Sequence, residues 1–202
     1  MKEVDIDEIR SFRNKYKIGE NEKVLIFVGR LGEEKSIDKL IENFARINTA
    51  LPDSHLLLVG DGPLKGKLKE LAGNLGVGKR VHFTGFLKWP DEITLAYKSS
   101  DAFMIASHTE TFGLVTLEAM ASGLPVVAFK DDSIANMVLD GENGFMCPSK
   151  EELSTAAIEL LTDRDLMERM SKRSVEISKD FSAEANVERT LNLYQRVIRN
   201  EI

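Results

Sequence analysis

Residues 107–127 read SHTETFGLVTLEAMASGLPVV, and they combine charged residues, a glycine turn and a helix where α/β proteins bind ligands. It follows an apolar strand at residues 103–105, passes through a polar turn, and enters a helix at Gly113. Gly123 and Pro125 then end that helix. A helix that begins after such a turn leaves its first N–H groups unpaired, and these groups favour an anion such as phosphate. The stretch therefore predicts a phosphate site at the carboxyl end of a strand in an α/β protein.

Two carboxylates flank this predicted phosphate site. Glu110 lies in the turn, and Glu118 lies one helical turn beyond Leu114, where helical side chains tilt back toward the opening. Since a carboxylate repels a phosphate, we expect both to accept hydrogen bonds from hydroxyl groups, such as those of a ribose and a hexose. Taken singly, each glutamate has an ordinary alternative, as a solvated helix residue or as a partner of the helix dipole. The predicted helix carries Leu114, Leu117 and Ala121 on one face.

Composition limits the kind of protein. The chain has 202 residues, of which 43% are hydrophobic and 30% charged, and we expect one domain, with residues 1–22 as a lead-in and residues 183–202 as a last helix. A net charge of -6 argues against a surface built for nucleic acid or anionic lipid. The single Cys147 allows no internal disulfide, no apolar run reaches the roughly 18 residues of a membrane span, and the charged start is unlike a secretory signal. These features favour a cytoplasmic protein.

Apolar runs predict strands that alternate with helices along the chain. Alternation at this spacing is typical of a Rossmann-like, doubly wound parallel sheet, here with six strands in the order 3-2-1-4-5-6 and with C-terminal helices. Ser36 is expected to cap the helix after the first strand. The predicted strands are residues 23–28, 55–59, 81–85, 102–105, 124–129 and 144–147.

This strand order brings two polar segments together. The crevice of such a sheet lies where the connections of strands 1 and 4 diverge, and those strands end at Gly29-Arg30 and at residues 107–113. Arg30 and Lys35 would supply the positive charge that a pyrophosphate needs. Taken singly, both are ordinary loop cations.

The motif E-x-F-G-L-x-x-x-E-A-M-A-x-G-x-P-V-V, in which seven residues separate Glu110 from Glu118, resembles the signature of retaining glycosyltransferase family 4. The G-R-L-x-x-x-K pattern at Arg30 and Lys35 is that family's other recurring element. The resemblance implies one half of a GT-B architecture, the C-terminal domain of a hexosyltransferase. In such enzymes the first glutamate contacts the donor sugar, the second contacts the ribose, and the amides between them bind the diphosphate.

The resemblance also implies a site, a donor and partners. Glu110 would be the catalytic residue, and no metal would be required, because Arg30 and Lys35 stabilise the leaving group. The donor would be a UDP-sugar and the acceptor a glycan or glycolipid. An N-terminal acceptor domain, which can associate peripherally with a membrane, would complete the enzyme, and this chain alone would be inactive. The expected substrate-binding residues are Gly29, Arg30, Lys35, Phe86, Glu110, Phe112, Gly113, Leu114, Val115 and Glu118.

The chain departs from the family pattern at two places. Ser36 stands where the family often has glycine after the lysine of the first loop. Residues 131–135, DDSIA, replace a Gly-Gly-x-Pro-Glu-like stretch after the fifth strand, at the rim of the donor-sugar pocket. Together with Ala-Met-Ala and residues 109–111, that run is reminiscent of glucosyl-diacylglycerol synthases within the family.

Two glycine patterns imitate other phosphate sites. Gly60-Asp61-Gly62 with Gly66 resembles a dinucleotide motif, but no acidic residue about twenty positions on fits the ribose role. Gly66-Lys67 lacks the Ser or Thr of a phosphate loop, because Leu68 follows it. We interpret residues 60–63 as a turn that lines the donor crevice.

Neither the paired aspartates nor the histidines predict a metal site. Asp131 and Asp132 have no evident third ligand, and a solvated loop is the simpler interpretation. His55, His82 and His108 lack a ligand spacing, and His108 is expected in the turn near the sugar pocket.

Two other functions fit the same fold. A sugar-nucleotide epimerase would also bind a nucleoside diphosphate, and a non-catalytic nucleotide-binding module would use Arg30 and Lys35 but need no sugar pocket at Glu110. The long glutamate motif favours the transferase.

Overall fold

A six-stranded parallel sheet forms the centre of the chain in the computed structural model, which describes residues 4–107 and 113–199. The strands follow the order β3-β2-β1-β4-β5-β6, so the predicted fold class and strand order are confirmed. The strands are β1 (Lys23–Val28), β2 (Ser54–Val59), β3 (Val81–Gly85), β4 (Ala102–Ile105), β5 (Val126–Phe129) and β6 (Gly144–Cys147).

Helices cover both faces of the sheet. Right-handed crossovers place the helices of the β1-to-β2 and β2-to-β3 connections on the face opposite to those of the β3-to-β4 and β4-to-β5 connections. Accordingly α2 packs against α3 and α6, whereas α1 packs against α4 and α5 packs against α7. The helices are α1 (Ile6–Lys15), α2 (Ile37–Ala50), α3 (Lys65–Asn74), α4 (Asp91–Lys98), α5 (Leu114–Ala121), α6 (Lys150–Thr162), α7 (Arg164–Lys179) and α8 (Ala183–Ile198).

The central strands are buried on both faces, which explains their continuous apolar sequence. Leu25, Ile26 and Phe27 of β1 are fully buried, as is every residue of β4 to within 1%. Ile26 pairs with Phe103, so β1 and β4 reach the carboxyl edge of the sheet side by side. This register places the ends of β1 and β4, from which the two predicted site loops begin, next to each other.

Two local details differ from what the sequence pattern suggests. The buried face of α5 is formed by Thr116, Ala119 and Met120, whereas Leu114 is 63% exposed. Because this helix is apolar on nearly every side, its sequence does not select the face that packs. Ser36 precedes α2 as expected, but its side chain makes no capping hydrogen bond, because its backbone is left-handed, with φ 49°. Glycine adopts that conformation most readily, which accounts for the residue that the family often has there.

The last helix differs from the others. No residue of α8 is buried in the described part of the chain, and its larger apolar side chains, such as Leu191 and Tyr194, are more than half exposed. No helix in residues 4–107 and 113–199 is long and apolar enough to cross a membrane.

A buried polar cluster closes the amino edge of the sheet. Nδ1 of His55 lies 2.8 Å from Nε2 of His82, and Nε2 of His55 lies 3.0 Å from a carboxylate oxygen of Glu22. Arg80 donates to the other oxygen of Glu22 at 2.9 Å. A backbone hydrogen bond from Gly19, with further bonds from Arg80 and His55, lowers the pKa of Glu22 to about 2. Burial lowers the pKa of His55, and it lowers the pKa of His82 to about 4.

We expect this cluster to make folding sensitive to acid. Each pKa is lower in the folded chain than in the unfolded one, so the unfolded state binds more protons and the free energy of unfolding falls as the pH falls. For the histidines the loss begins near pH 6.5 and for His82 extends to about pH 4, whereas for Glu22 it runs from pH 4.5 to about 2.

Urea unfolding of the wild type and of His82→Phe between pH 7 and pH 4 measures this loss of stability. The variant should be less stable at pH 7 and less dependent on pH, whereas Glu20→Gln, at an exposed carboxylate, should follow the wild type. Equal stability of the wild type at pH 7 and pH 4 would contradict the expectation.

Candidate functional site

The loops after β1 and β2 are joined backbone to backbone at the carboxyl edge of the sheet. The N–H of Gly29 donates to Val59 O at 2.9 Å, and the N–H of Leu31 donates to Asp61 O at 3.0 Å. Leu31 O in turn accepts from Leu64 N at 3.1 Å. Residues 29–31 and 60–64 therefore form one rigid platform, which we call the double loop.

Glycine is required where the two backbones of the double loop touch. A methyl group on Gly60 would lie 2.0 Å from Gly29 O, and one on Gly62 would lie 2.4 Å from Leu31 O. Gly60 also has a φ of +128°, which L side chains rarely adopt. The G-D-G sequence is therefore a packing requirement of the crevice wall, in agreement with its interpretation as a turn in the crevice.

The third strand joins the same platform. Gly60 donates to Gly85 O at 2.9 Å, and Asp61 accepts from Gly62 N at 2.8 Å and from Nζ of Lys65 at 2.6 Å. The hydrogen bond to Lys65 lowers the pKa of Asp61, which remains anionic beside its lysine. Phe86, directly after Gly85, is 83% exposed at this edge. An exposed aromatic ring on a rigid backbone can contact a ligand without a cost for loop ordering.

The predicted cations lie on the first of these loops. Arg30 is exposed and forms no ion pair with the described residues. Lys35 ends a short 3-10 helix, Glu33–Lys35, and is half-buried. The guanidinium of Arg30 is therefore available to an anion at the crevice.

The start of α5 carries N–H groups that have no acceptor among residues 4–107 and 113–199. Among the described residues, the first backbone bond of this helix runs from Leu117 N to Gly113 O at 2.9 Å, and the amides of Leu114, Val115 and Thr116 have no backbone acceptor there. Gly113 stands at the N-cap of α5, where it has no side chain to bond these amides, and its φ is +60°. A methyl group on Gly113 would lie 2.5 Å from Cε of Met137, so this glycine is needed for both backbone conformation and space.

Glu118 is fixed by a neighbouring helix. It is half-buried, and its Oε2 lies 3.3 Å from the hydroxyl of Tyr97 in α4. It lines an apolar cavity of about 470 Å³ between α4, α5 and the junction of α7 with α8, together with Trp89, Ile93 and Phe181. Sequence reasoning missed Tyr97, because no local pattern links an α4 tyrosine to an α5 glutamate.

The structure places most of the predicted site residues at one edge. Gly29, Arg30 and Lys35 follow β1, Phe86 follows β3, and residues 113–118 follow β4, the strand adjacent to β1. Glu110 and Phe112 lie outside the described residues, as does His108.

The competing patterns have structural explanations. Gly66 and Lys67 lie inside α3, not in a phosphate-binding loop. Asp131 accepts from Ser133 N at 2.8 Å in a turn. Within residues 4–107 and 113–199, no three His, Cys, Asp or Glu side chains are grouped so as to bind a metal ion.

Comparison with known proteins gives the chain its relatives. The family model described as Glycosyl transferases group 1 matches residues 8–176. The Alpha-monoglucosyldiacylglycerol synthase of Acholeplasma laidlawii is 32% identical over 192 residues, which cover 95% of this chain and 48% of that relative. The chain therefore spans about half the length of the relative.

Solved structures show the same fold. Anabaena Alr3699/HepE in complex with UDP and glucose superposes with a TM-score of 0.81 at 25% identity, over 94% of this chain and 53% of that one. The C-terminal domain of the group 1 glycosyl transferase LpcC from Francisella tularensis has a TM-score of 0.75 at 26% identity, over 87% of this chain and 92% of that one. The second comparison shows that a domain of this size corresponds to the C-terminal part of such a protein.

The double loop predicts opposite effects for two nearby glycines. Gly62→Ala should destabilise the chain by about 1–3 kcal/mol, because the added methyl meets the backbone of Leu31. Gly66→Ala should be neutral or stabilising by up to about 1 kcal/mol, since nothing lies within 4 Å of its methyl and alanine favours the helix. Urea unfolding of both variants measures the difference. Equal stabilities would show that the two loops separate at little cost.

Proposed function

Because the chain belongs to the Glycosyl transferases group 1 family, we propose that it is the donor-binding domain of an enzyme that transfers a hexose from a nucleoside diphosphate sugar. The match covers most of the chain and confirms a group 1 glycosyl transferase, whereas membership of the retaining family 4 is part of the proposal. Retention of the anomeric configuration and the identity of the donor are part of the proposal.

One observation carries the proposal. The first amides of α5, which have no acceptor among the described residues, and the guanidinium of Arg30 follow adjacent parallel strands, at the point where the connections of β1 and β4 run to opposite faces of the sheet. Amide donors and an arginine at such an edge bind anions, and a diphosphate presents several oxygens to both. Because the chain has a net charge of -6, an anion has to be bound by local positive groups such as these.

A UDP-sugar is the proposed donor. The related fold of Anabaena Alr3699/HepE was solved in complex with UDP and glucose, which supports UDP-glucose as the first donor to test. Glu118 would accept hydrogen bonds from the ribose hydroxyls, and Phe86 would provide an apolar contact at the rim of the crevice. Glu110 and Phe112 are proposed to contact the sugar on the basis of the motif.

Each proposed residue has a distinct part in the reaction. Transfer breaks the bond between the anomeric carbon and the diphosphate oxygen, the acceptor oxygen forms the new bond to that carbon, and the acceptor's proton passes to the departing diphosphate. Negative charge then grows on the leaving diphosphate, where Arg30, Lys35 and the amides of residues 113–115 would stabilise it. Glu110 would orient the sugar through its hydroxyl groups. We propose that these cations replace a metal ion.

The acceptor would bind outside this chain. The chain spans about half of its lipid-glycosylating relative from Acholeplasma laidlawii, so we propose that a further domain supplies the acceptor pocket and closes over the crevice. Glycans and glycolipids are the acceptor classes to test, and peripheral contact with a membrane would be made through that further domain. A cytoplasmic location is proposed from the single cysteine, Cys147.

Removal of Arg30 should weaken nucleotide binding whatever sugar is attached. Arg30→Ala deletes a charge-assisted contact, which we expect to cost roughly 1.5–3 kcal/mol. Calorimetry with UDP and with UDP-glucose should show similar losses for both ligands. Arg46→Ala is the matched control, because Arg46 is an exposed α2 arginine that pairs with Glu151. Absence of binding to UDP, UDP-glucose, GDP-mannose and ADP-glucose at millimolar concentration would contradict the proposed site.

Removal of Glu110 should act on the sugar only. Glu110→Ala is expected to leave UDP affinity unchanged or slightly higher, because its proposed partner is a sugar hydroxyl and its charge repels the diphosphate. Any preference of the wild type for UDP-glucose over UDP should fall. If the variant instead loses UDP binding while Arg30→Ala retains it, the two residues have been assigned the wrong way round. Equal affinity for both ligands in the wild type and in Glu110→Ala would favour a nucleotide-binding module without a sugar pocket.

A further inference from the structure

Tyr97 is a deeply buried tyrosine beside the candidate site. Its side chain is 1% exposed, and its ring meets Phe103 of β4 edge-on, with centroids 6.4 Å apart. The hydroxyl lies 3.3 Å from Oε2 of Glu118 and 3.2 Å from the carbonyl oxygen of Val115. The ring is therefore fixed by the sheet, and its one polar atom meets α5.

Glu118 is the stronger acceptor of the two. The carbonyl of Val115 lies inside α5, where it also accepts a backbone bond of the helix, whereas a carboxylate forms the stronger hydrogen bond with a hydroxyl. Burial, together with Glu118, raises the pKa of Tyr97 above its ordinary value, so the hydroxyl keeps its proton at physiological pH. The apolar lining of the adjacent cavity, which includes Trp89 and Ile93, reduces competition from water for this bond.

The second carboxylate oxygen of Glu118 remains available. Oε1 makes no hydrogen bond with residues 4–107 or 113–199, and the side chain is only half-buried. A glutamate has three rotatable bonds, and ordering them costs conformational entropy when a ligand binds. A bond that orders the side chain beforehand removes part of that cost.

We propose that Tyr97 is a positioning residue, which fixes Glu118 through Oε2 so that Oε1 is presented to the ribose hydroxyls of the donor. This inference rests on the proposed function, because it takes the ribose as the ligand of Glu118. Tyr97 itself does not touch the nucleotide. Its effect should therefore appear only with ligands that carry ribose hydroxyls.

The test compares UDP with 2′,3′-dideoxy-UDP, which lacks both ribose hydroxyls, by calorimetry on the full chain. In the wild type UDP should bind more tightly. Tyr97→Phe keeps the ring and removes only the hydroxyl, and it should weaken UDP roughly three- to tenfold while leaving 2′,3′-dideoxy-UDP unchanged. Tyr16→Phe, at a partly buried tyrosine of the lead-in, should change neither affinity.

A double-mutant comparison isolates the route of the effect. In Glu118→Ala the further change Tyr97→Phe should have no additional effect on UDP affinity, since the group that it positions is absent. Equal weakening of both nucleotides by Tyr97→Phe would indicate a purely structural tyrosine and overturn the proposal. The proposal would also be overturned if Tyr97→Phe changed neither affinity.

The outcomes separate this inference from the function on which it rests. If the wild type binds UDP no better than 2′,3′-dideoxy-UDP, the assignment of Glu118 to the ribose fails, and the inference fails with it. If the wild type discriminates and Tyr97→Phe discriminates equally, only the positioning role fails. Should Tyr97→Phe not fold, a crystal structure of the wild type with UDP decides. The Tyr97 hydroxyl must stay within about 3.5 Å of Glu118 while Oε1 contacts the ribose, and a Glu118 turned away from Tyr97 would overturn the proposal.

Discussion

The close approach of two backbones at the carboxyl edge of the sheet determines how the rest of the site is arranged. Carbonyl oxygens of residues 29 and 31 occupy the space where side chains of residues 60 and 62 would otherwise lie. Only glycine permits this approach, and the hydrogen bonds that it allows join the ends of β1, β2 and β3. The exposed groups on this platform, Arg30 and Phe86, therefore stand on backbone that cannot shift independently. Because this backbone is already ordered, a charged ligand would not lose binding free energy to the ordering of loops.

Polar groups have different roles at the two edges of the sheet. At the amino edge, Glu22, His55, His82 and Arg80 form hydrogen bonds with one another in a partly buried cluster. At the carboxyl edge, Arg30 is exposed and the first amides of α5 have no acceptor in the part of the chain that the structure describes. A paired buried cluster supports the fold, whereas unpaired donors at a surface favour an anion. The same chain thus uses polar groups for stability at one edge and leaves them available at the other.

The sequence predicted the strands far better than the side-chain contacts. Lys23–Val28 and Ala102–Ile105 were identified residue for residue, because strands buried on both faces carry uninterrupted apolar runs. The buried face of α5 was not, because a helix that is apolar all round contains no periodicity from which to read it. The contact of Tyr97 with Glu118 joins two helices that are distant in sequence, and only the packing of α4 beside α5 reveals it. The placement of Arg30 beside the start of α5 followed from strand order.

The last helix has a consequence for how the chain moves. Because α8 buries none of its described side chains, its amides depend on the helix's own hydrogen bonds and on the Ser182 cap. Such a segment can open by itself, without the sheet coming apart. Its amide protons should therefore exchange with solvent deuterium long before those of β1 and β4, so that the chain contains two regions with separate opening free energies.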